Sequence, residues 1–135
     1  VMCLAFKARP ATKDVDAIFE PVREIRNAAN RIAERHKLNI GWLNMAVKMF
    51  VVEHEQSVLF DLSNLKVLVP DGRYLFAMKV LAARADTSDL EDISFLSNHL
   101  RIKKVDEAVE IVRNYYPNKE IKPETLFLLE EILAE

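Results

Sequence analysis

Hydrophobic and polar residues follow two different patterns along this chain, which predict a first part that mixes strands with helices and a second part that is helical. A helical period of apolar residues begins after Pro21, whose missing N–H costs nothing at a helix start, and continues to about His36. Residues 57–62 and 65–69 are apolar runs of strand length. Gly41 breaks the chain before a short second helix. That second helix is predicted within residues 42–50. The other elements predicted in this part are a buried strand at residues 14–19 and the end of a helix at residues 1–8, closed by Arg9 and Pro10.

The second part begins with a helix over residues 74–85 that is apolar nearly all round, and such a helix belongs in the middle of a protein. Ser88 and Glu91 have the spacing of a capping box and predict the start of the next helix. Two more helices are predicted, over residues 105–116 and from Pro123 onward. This order of elements predicts an α+β fold, in which a small mixed or antiparallel sheet flanked by helices is followed by a helical C-terminal half.

Length and composition are typical of one globular domain, since the chain has 135 residues of which 50% are hydrophobic and 30% are charged. We expect residues 1–70 to hold the sheet and residues 71–135 to form the helical part. The formal net charge of −2 argues against attachment to nucleic acid or membrane through bulk charge. The lone Cys3 excludes an internal disulfide, and no segment approaches the roughly 20 apolar residues of a membrane span. These features predict a cytoplasmic protein with no membrane partner.

Asp14 and Asp16 are the first candidates for a chemical role. On an extended chain, residues two apart share a face, so both carboxylates are expected to point the same way, with Val15 on the other side. Adjacent carboxylates repel each other unless a positive charge lies between them, and Mg²⁺ prefers carboxylate and phosphate oxygens. The pattern is therefore consistent with a magnesium site. A turn aspartate followed by a strand-edge aspartate is the other interpretation.

Lys79 is the second candidate, because it is the only charged residue between Tyr74 and Ala83 in the most apolar helix of the chain. A buried lysine is costly unless it is paired. Its side chain could instead extend along apolar surface and carry its ammonium to water. Asp89 and Asp92 follow at i and i+3 on the next helix, where they are either partners for a cation or ordinary surface acids.

Three runs are more specific together than separately: Arg9-x-x-Thr12-Lys13-Asp14-Val15-Asp16, Ala77-Met78-Lys79-x-x-Ala82-x-Arg84, and Asp89-x-x-Asp92-Ile93. With them, residues 1 to about 100 resemble the nucleotidyltransferase superfamily that has a polymerase-beta-type palm. Within that superfamily, the chain is most similar to small bacterial nucleotidyltransferases allied to abortive-infection and toxin–antitoxin toxins. The resemblance implies that residues 1–70 form part of a nucleotidyltransferase palm.

The resemblance also implies a reaction, namely transfer of a nucleoside monophosphate from a nucleoside triphosphate to an acceptor hydroxyl on RNA or protein. In this reading Asp14 and Asp16 bind Mg²⁺, and Lys79 neutralises charge on the phosphates. Asp92, alone or with Asp89, orients Lys79 or the acceptor. Such a protein would be a toxin or defence component, partnered by an antitoxin or by a second copy of itself. The residues implied in catalysis are Asp14, Asp16, Lys79 and Asp92, and those implied in substrate binding are Arg9, Thr12, Arg84 and Asp89.

For two features of such enzymes, the sequence leaves two interpretations open. They carry a Gly-Gly-Ser or Gly-Ser turn just before the helix that precedes the Asp-x-Asp strand, and here that turn would fall immediately before Val1. We expect either that a natural segment precedes Val1 or that the turn is missing. Asp61 is the candidate for a third carboxylate, with a plain loop aspartate as the alternative.

Three functions remain open at this point: an active magnesium-dependent nucleotidyltransferase, an inactive relative that binds nucleotide or a partner protein, and a helical interaction module with structural aspartates. In the first, Lys79 is expected to point at the Asp14 and Asp16 carboxylates, with Asp92 or Asp89 close to its ammonium. Lys79→Met is then expected to abolish triphosphate binding while being nearly neutral or stabilising for the fold, because it removes a buried charge.

Overall fold

A computed structural model of the protein describes residues 1–2, 4–8, 12–84 and 88–134. Within these residues the chain forms five α-helices and two small sheets, which confirms the predicted α+β class. The strands are β1 (Val15–Asp16), β2 (Leu43–Asn44), β3 (Gln56–Leu62) and β4 (Leu65–Pro70). The helices are α1 (Val22–His36), α2 (Gly72–Ala82), α3 (Ser88–Leu100), α4 (Val105–Tyr115) and α5 (Pro123–Ala134), with a 3-10 helix at Ala46–Met49.

The chain divides into two compact units. The first unit, Arg9–Val51, contains β1, α1, β2 and the 3-10 helix. The second unit joins Val1–Ala8 to Val52–Glu135 and contains the other strands and helices. In place of one mixed sheet, the described residues form a parallel pair, β1 with β2, and an antiparallel pair, β3 with β4.

In the first unit, α1 supports the parallel strand pair. The indole N–H of Trp42, next to β2, donates to the backbone carbonyl of Ala29 on α1 over 3.0 Å. Trp42 in turn accepts a hydrogen bond from the backbone N–H of Val15, and Asp16 lies opposite Asn44 in the register of the two strands. The position of β1 therefore depends on the docking of one tryptophan against α1.

Three predictions for this unit meet different outcomes. The helix predicted from Pro21 to about His36 is confirmed as Val22–His36, and it ends where Lys37 takes a left-handed conformation. The strand predicted at residues 14–19 is only Val15–Asp16, and residues 42–50 form β2 and a 3-10 helix instead of an α-helix. Since β2 has two residues, it is too short to leave a period in the sequence and arises from tertiary contact.

In the second unit, β3 and β4 form the antiparallel hairpin that the two apolar runs predict. Residues 63–64 make the tight turn, which is the commonest connection between antiparallel strands. Asp61 lies opposite Lys66 in this hairpin, and the register shifts between Val58 and Phe60. Asp61 is thus an exposed strand residue rather than a loop aspartate.

Helix α2 lies at the centre of the second unit, as its apolar sequence predicts. Its side chains at Tyr74, Phe76 and Val80 are almost fully buried, and α3 and α4 both pack against it. The helix begins earlier than predicted because the Asp71 side chain caps it and accepts a hydrogen bond from a backbone N–H in the first turn. At Gly72 a Cβ would lie 3.2 Å from a side-chain carbon of α3, so glycine permits the close packing of this helix start.

The segment that precedes the first unit is a turn rather than the end of a helix. The backbone N–H of Ala8 donates to the carbonyl of Met2 over 2.8 Å, which closes a loop instead of continuing a helical ladder. Met2 is buried in the core of the second unit. The residues predicted to close the helix, Arg9 and Pro10, lie outside the described residues. The remaining α-helices begin and end within a few residues of their predicted bounds.

No helix within the described parts of the chain has the length and apolar character needed to cross a bilayer.

Aromatic side chains at the start of α2 form a hydrogen-bonded cluster. The Tyr74 and Tyr116 hydroxyls lie 3.1 Å apart, and the Tyr74 hydroxyl accepts from the backbone N–H of Val52. The ring of His54 stacks on Tyr74 with centroids 3.7 Å apart. Burial, followed by the hydrogen bond with Tyr74, raises the pKa of Tyr116 above its ordinary value. Burial also raises the pKa of Tyr115.

This cluster makes stability sensitive to alkaline pH. Since the pKa of Tyr116 is higher in the folded chain than in the unfolded one, the unfolded chain loses its proton first, and stability falls as pH rises above about 10. Tyr116→Phe is expected to lower the free energy of unfolding by about 1 kcal/mol near neutral pH, through loss of one hydrogen bond, and to flatten its decline at high pH. Urea unfolding at a series of pH values measures both. An unchanged alkaline slope in Tyr116→Phe would contradict this account.

Candidate functional site

The structure brings Lys79 of α2 together with two carboxylates of α3. The Lys79 Nζ atom lies 2.8 Å from Asp92 Oδ2 and 3.3 Å from Asp89 Oδ1. Both distances are those of ion pairs, and the Lys79 ammonium also donates a hydrogen bond to Asp89 Oδ1. This is the contact expected from the sequence for Lys79 and the aspartates that follow it.

Burial distinguishes the two carboxylates. The side chain of Asp92 is 3% exposed, that of Asp89 14%, and that of Lys79 25%. A carboxylate as buried as Asp92 requires a cation or several donors, because charge in a low-dielectric interior is costly. Lys79 supplies that cation. The alternative, in which Lys79 carries its ammonium away from the protein into water, does not describe this structure.

The sequence explains why these three groups meet. Asp89 and Asp92 are three residues apart on α3, so they lie on one face of that helix. Asp89 also lies in the first turn of α3, where a negative charge is favoured by the helix dipole. Since α3 packs against α2, this acidic face accepts the one charged side chain that α2 carries in its buried length.

Arg84 extends the cluster to the surface. Its Nε atom lies 3.7 Å from Asp89 Oδ2, and its side chain is 76% exposed. Asp89 therefore contacts both a half-buried lysine and an exposed arginine, and Asp92 contacts the same lysine. We refer to these four residues (Lys79, Arg84, Asp89 and Asp92) as the lysine cluster.

The other predicted site residues lie in the first unit. Asp14 and Asp16 are both exposed, and Asp16 is the second residue of β1. The Thr12 hydroxyl donates to the backbone carbonyl of Asp14 over 3.0 Å, which fixes the turn before the strand. Arg9 lies outside the described residues. Two exposed carboxylates on one short segment can offer oxygen ligands to a cation that also binds phosphate.

A different kind of metal site would take all of its ligands from the protein. Across residues 1–2, 4–8, 12–84 and 88–134, no three or more His, Cys, Asp or Glu side chains are grouped so that they could hold a metal ion. Mg²⁺, however, usually keeps several waters and takes only one or two carboxylates together with substrate phosphates. The donor set of Asp14 and Asp16 fits that mode of binding. Their role as magnesium ligands stays a prediction.

The sequence predicts only part of the cluster formed by Tyr74, Tyr116 and His54. Tyr115 and Tyr116 are expected at a helix end, and they lie there. The stacking of His54 on Tyr74 was missed, because no spacing in the sequence links a residue before the hairpin to one after it. The hydrogen bond between His54 Nδ1 and the carbonyl of Val52, 2.7 Å long, fixes the ring in this stack.

Comparison with protein families, with curated proteins and with solved structures finds no match for this chain.

The burial of Asp92 corrects the stability expected for Lys79→Met. The sequence suggests a neutral or stabilising change, but removal of Lys79 would take away the cation that lies 2.8 Å from the buried Asp92 carboxylate. We now expect Lys79→Met to lower the free energy of unfolding by about 2 kcal/mol, somewhat less than for a fully buried pair because Lys79 is partly exposed.

A double variant provides the control. Lys79→Met combined with Asp92→Leu removes both charges and should recover most of the lost stability, since apolar replacements of a buried ion pair are often neutral or better. Urea unfolding of wild type, both single variants and the double variant gives the coupling free energy. Additive losses in this cycle would contradict a stabilising link between the two side chains.

Proposed function

We propose that this protein is a nucleotidyltransferase-like enzyme that transfers a nucleoside monophosphate from a nucleoside triphosphate to a hydroxyl of RNA or protein. The observation that supports the proposal best is the 2.8 Å pair of Lys79 with the buried Asp92, on two adjoining helices. A lysine held at a fixed position in an apolar helix is suited to bind phosphate, because little side-chain freedom remains to be lost on binding. The three sequence runs that resemble the superfamily are the second support.

The reaction that we propose is an in-line displacement at the α-phosphorus. The acceptor oxygen forms a bond to that phosphorus, the bond from the phosphorus to the bridging oxygen breaks, and pyrophosphate leaves with the bonding electrons. The hydroxyl proton passes to water. Lys79 would neutralise charge on the phosphates as it shifts toward the leaving group, and Asp92 would keep the ammonium in place. Thr12, Arg84 and Asp89 are proposed to contact the substrate.

Asp14 and Asp16 are proposed to bind Mg²⁺ together with the triphosphate. When bound, the ion would supply positive charge at the phosphates and at the attacking oxygen. The two carboxylates are exposed, so a hydrated cation can reach them. As part of the same proposal, the protein acts in the cytoplasm as a toxin or defence component, and an antitoxin or a second copy of the chain is its protein partner.

Transfer of an α-labelled phosphate tests the enzyme directly. The protein is incubated with each of four α-labelled nucleoside triphosphates, Mg²⁺, and either total RNA or protein, and the label on the acceptor is counted. We expect incorporation by wild type and a loss of about 100-fold or more in Lys79→Met/Asp92→Leu, which lacks the cation and is expected to keep the fold. Lys66→Met, at an exposed lysine of β4, is the control and should retain activity. Wild type that incorporates no label under any condition would refute the enzymatic proposal.

Asp14→Asn combined with Asp16→Asn tests the magnesium ligands. Because both side chains are exposed, the fold should be retained, while Mg²⁺-dependent nucleotide binding is expected to be lost. Calorimetric titration with a nucleoside triphosphate, with and without Mg²⁺, measures this. Asp106→Asn, at an exposed residue of α4, is the control for loss of negative charge. Equal magnesium-dependent affinity in the double variant and wild type would rule out the metal role.

The same two experiments distinguish the proposed enzyme from the alternative function, that of an inactive relative. An inactive relative that serves as a nucleotide-binding protein would bind the triphosphate, lose binding when Lys79 is replaced, and transfer no label to any acceptor.

A further inference from the structure

A cavity of about 320 Å³ lies in the second unit, at the turn between α3 and α4. Its apolar wall is formed by Leu100, Ile102 and Ile111, and the two isoleucines are buried. This volume is at the lower end of the range that small-molecule sites occupy. Within the described residues, the cavity and the lysine cluster share no side chain, so a ligand here would be separate from the proposed phosphate site.

Two arginines from different elements line this cavity. Arg73 lies in the first turn of α2, and Arg101 lies in the turn that follows α3. In the part of the chain that the structure describes, neither guanidinium makes an ion pair or a hydrogen bond with another residue. Guanidinium N–H groups suit the planar geometry of a carboxylate. The cavity therefore offers donors for a carboxylate of a ligand.

The backbone at Arg101 is of a kind in which glycine is the usual residue. Its φ of 59° is in the left-handed region. The N–H of Arg101 donates to the carbonyl of Asn98 over 3.2 Å, and the N–H of Ile102 donates to that of Ser97 over 2.9 Å. These two bonds form a Schellman motif, which favours glycine where Arg101 lies because a Cβ is strained there. A role for the guanidinium would explain an arginine at this position.

Negative charge reaches the cavity from one face of α4. Glu107 and Glu110 are three residues apart on this helix, and both line the cavity. Glu107 Oε2 accepts a hydrogen bond from the backbone N–H of Lys103 over 3.0 Å. Glu110 has no such partner among the described residues, so its carboxylate can accept from a ligand. Because two arginines and two glutamates line the cavity, a simple anion would meet repulsion as well as attraction.

We infer that this cavity binds a small zwitterion, namely an α-amino acid with an aliphatic side chain. Its carboxylate would contact Arg73 and Arg101, its ammonium would contact Glu110, and its side chain would lie on the apolar wall. A ligand with both charges satisfies both kinds of group, whereas a plain carboxylate or a plain amine satisfies one and is repelled by the other. The inference does not depend on the proposed transferase reaction.

Calorimetric titration with L-leucine, at concentrations up to about 10 mM, tests the ligand class. L-leucinamide lacks the carboxylate, N-acetyl-L-leucine lacks the ammonium, and glycine lacks the aliphatic side chain. We expect L-leucine to bind wild type, and each comparison compound to bind about tenfold or more weakly, because each loses one set of contacts. No binding of L-leucine, or equal binding of any of the three comparison compounds, would overturn the inference.

Two variants test the residues. Arg101→Gly suits the left-handed backbone, so we expect it to fold at least as stably as wild type and to bind L-leucine about tenfold or more weakly. Glu110→Gln should abolish the preference for L-leucine over N-acetyl-L-leucine. The matched controls are Arg113→Gln and Glu91→Gln, at exposed residues of α4 and α3 that do not line the cavity, and they should change the affinity by less than about twofold.

The variants can also overturn the inference. Binding of L-leucine by Arg101→Gly as tightly as by wild type would do so, as would an equal loss in Arg113→Gln. Urea unfolding verifies the fold, and Arg73→Gln, with the same expected loss, replaces Arg101→Gly if the latter does not fold. Binding of L-leucine without label transfer would reject the enzyme and keep the amino-acid site, and label transfer without binding of L-leucine would do the reverse.

Discussion

A carboxylate in an apolar interior requires a cation, and in this protein that requirement joins two helices. Asp92 is buried on α3, and Lys79 is the charged side chain that the buried length of α2 provides. Loss of Lys79 would remove the cation that lies 2.8 Å from the buried Asp92 carboxylate, which is costly in an apolar interior. The pair therefore links α2 to α3 beside the apolar core that both helices share.

The Lys79–Asp92 ion pair can stabilise the fold and still leave the lysine side chain partly accessible. Lys79 remains partly exposed although its partner is not, so the ammonium is fixed in position and still reachable.

Sequence patterns predict much of this structure where periods are long. The bounds of α1, the β3–β4 hairpin and the central place of α2 all follow from runs of apolar residues. The proximity of Lys79 to the α3 aspartates is one of the two interpretations that the sequence leaves open, the other being an ammonium carried to water. By contrast, β2 depends on the docking of Trp42, and the burial of Asp92 depends on how α3 packs, and neither leaves a period in the sequence. That burial reverses the expected effect of Lys79→Met on stability.

The most direct measurement of the central claim is the NMR signal of the Lys79 ammonium group, assigned by its loss in Lys79→Met/Asp92→Leu. Exposed lysines exchange their ammonium protons rapidly with water, whereas an ammonium held by a buried carboxylate exchanges slowly and gives an observable resonance. The account predicts such a resonance in the free protein and a shift in its position when a nucleoside triphosphate is added. A Lys79 ammonium that exchanges as fast as the surface lysines and does not respond to nucleotide would contradict it.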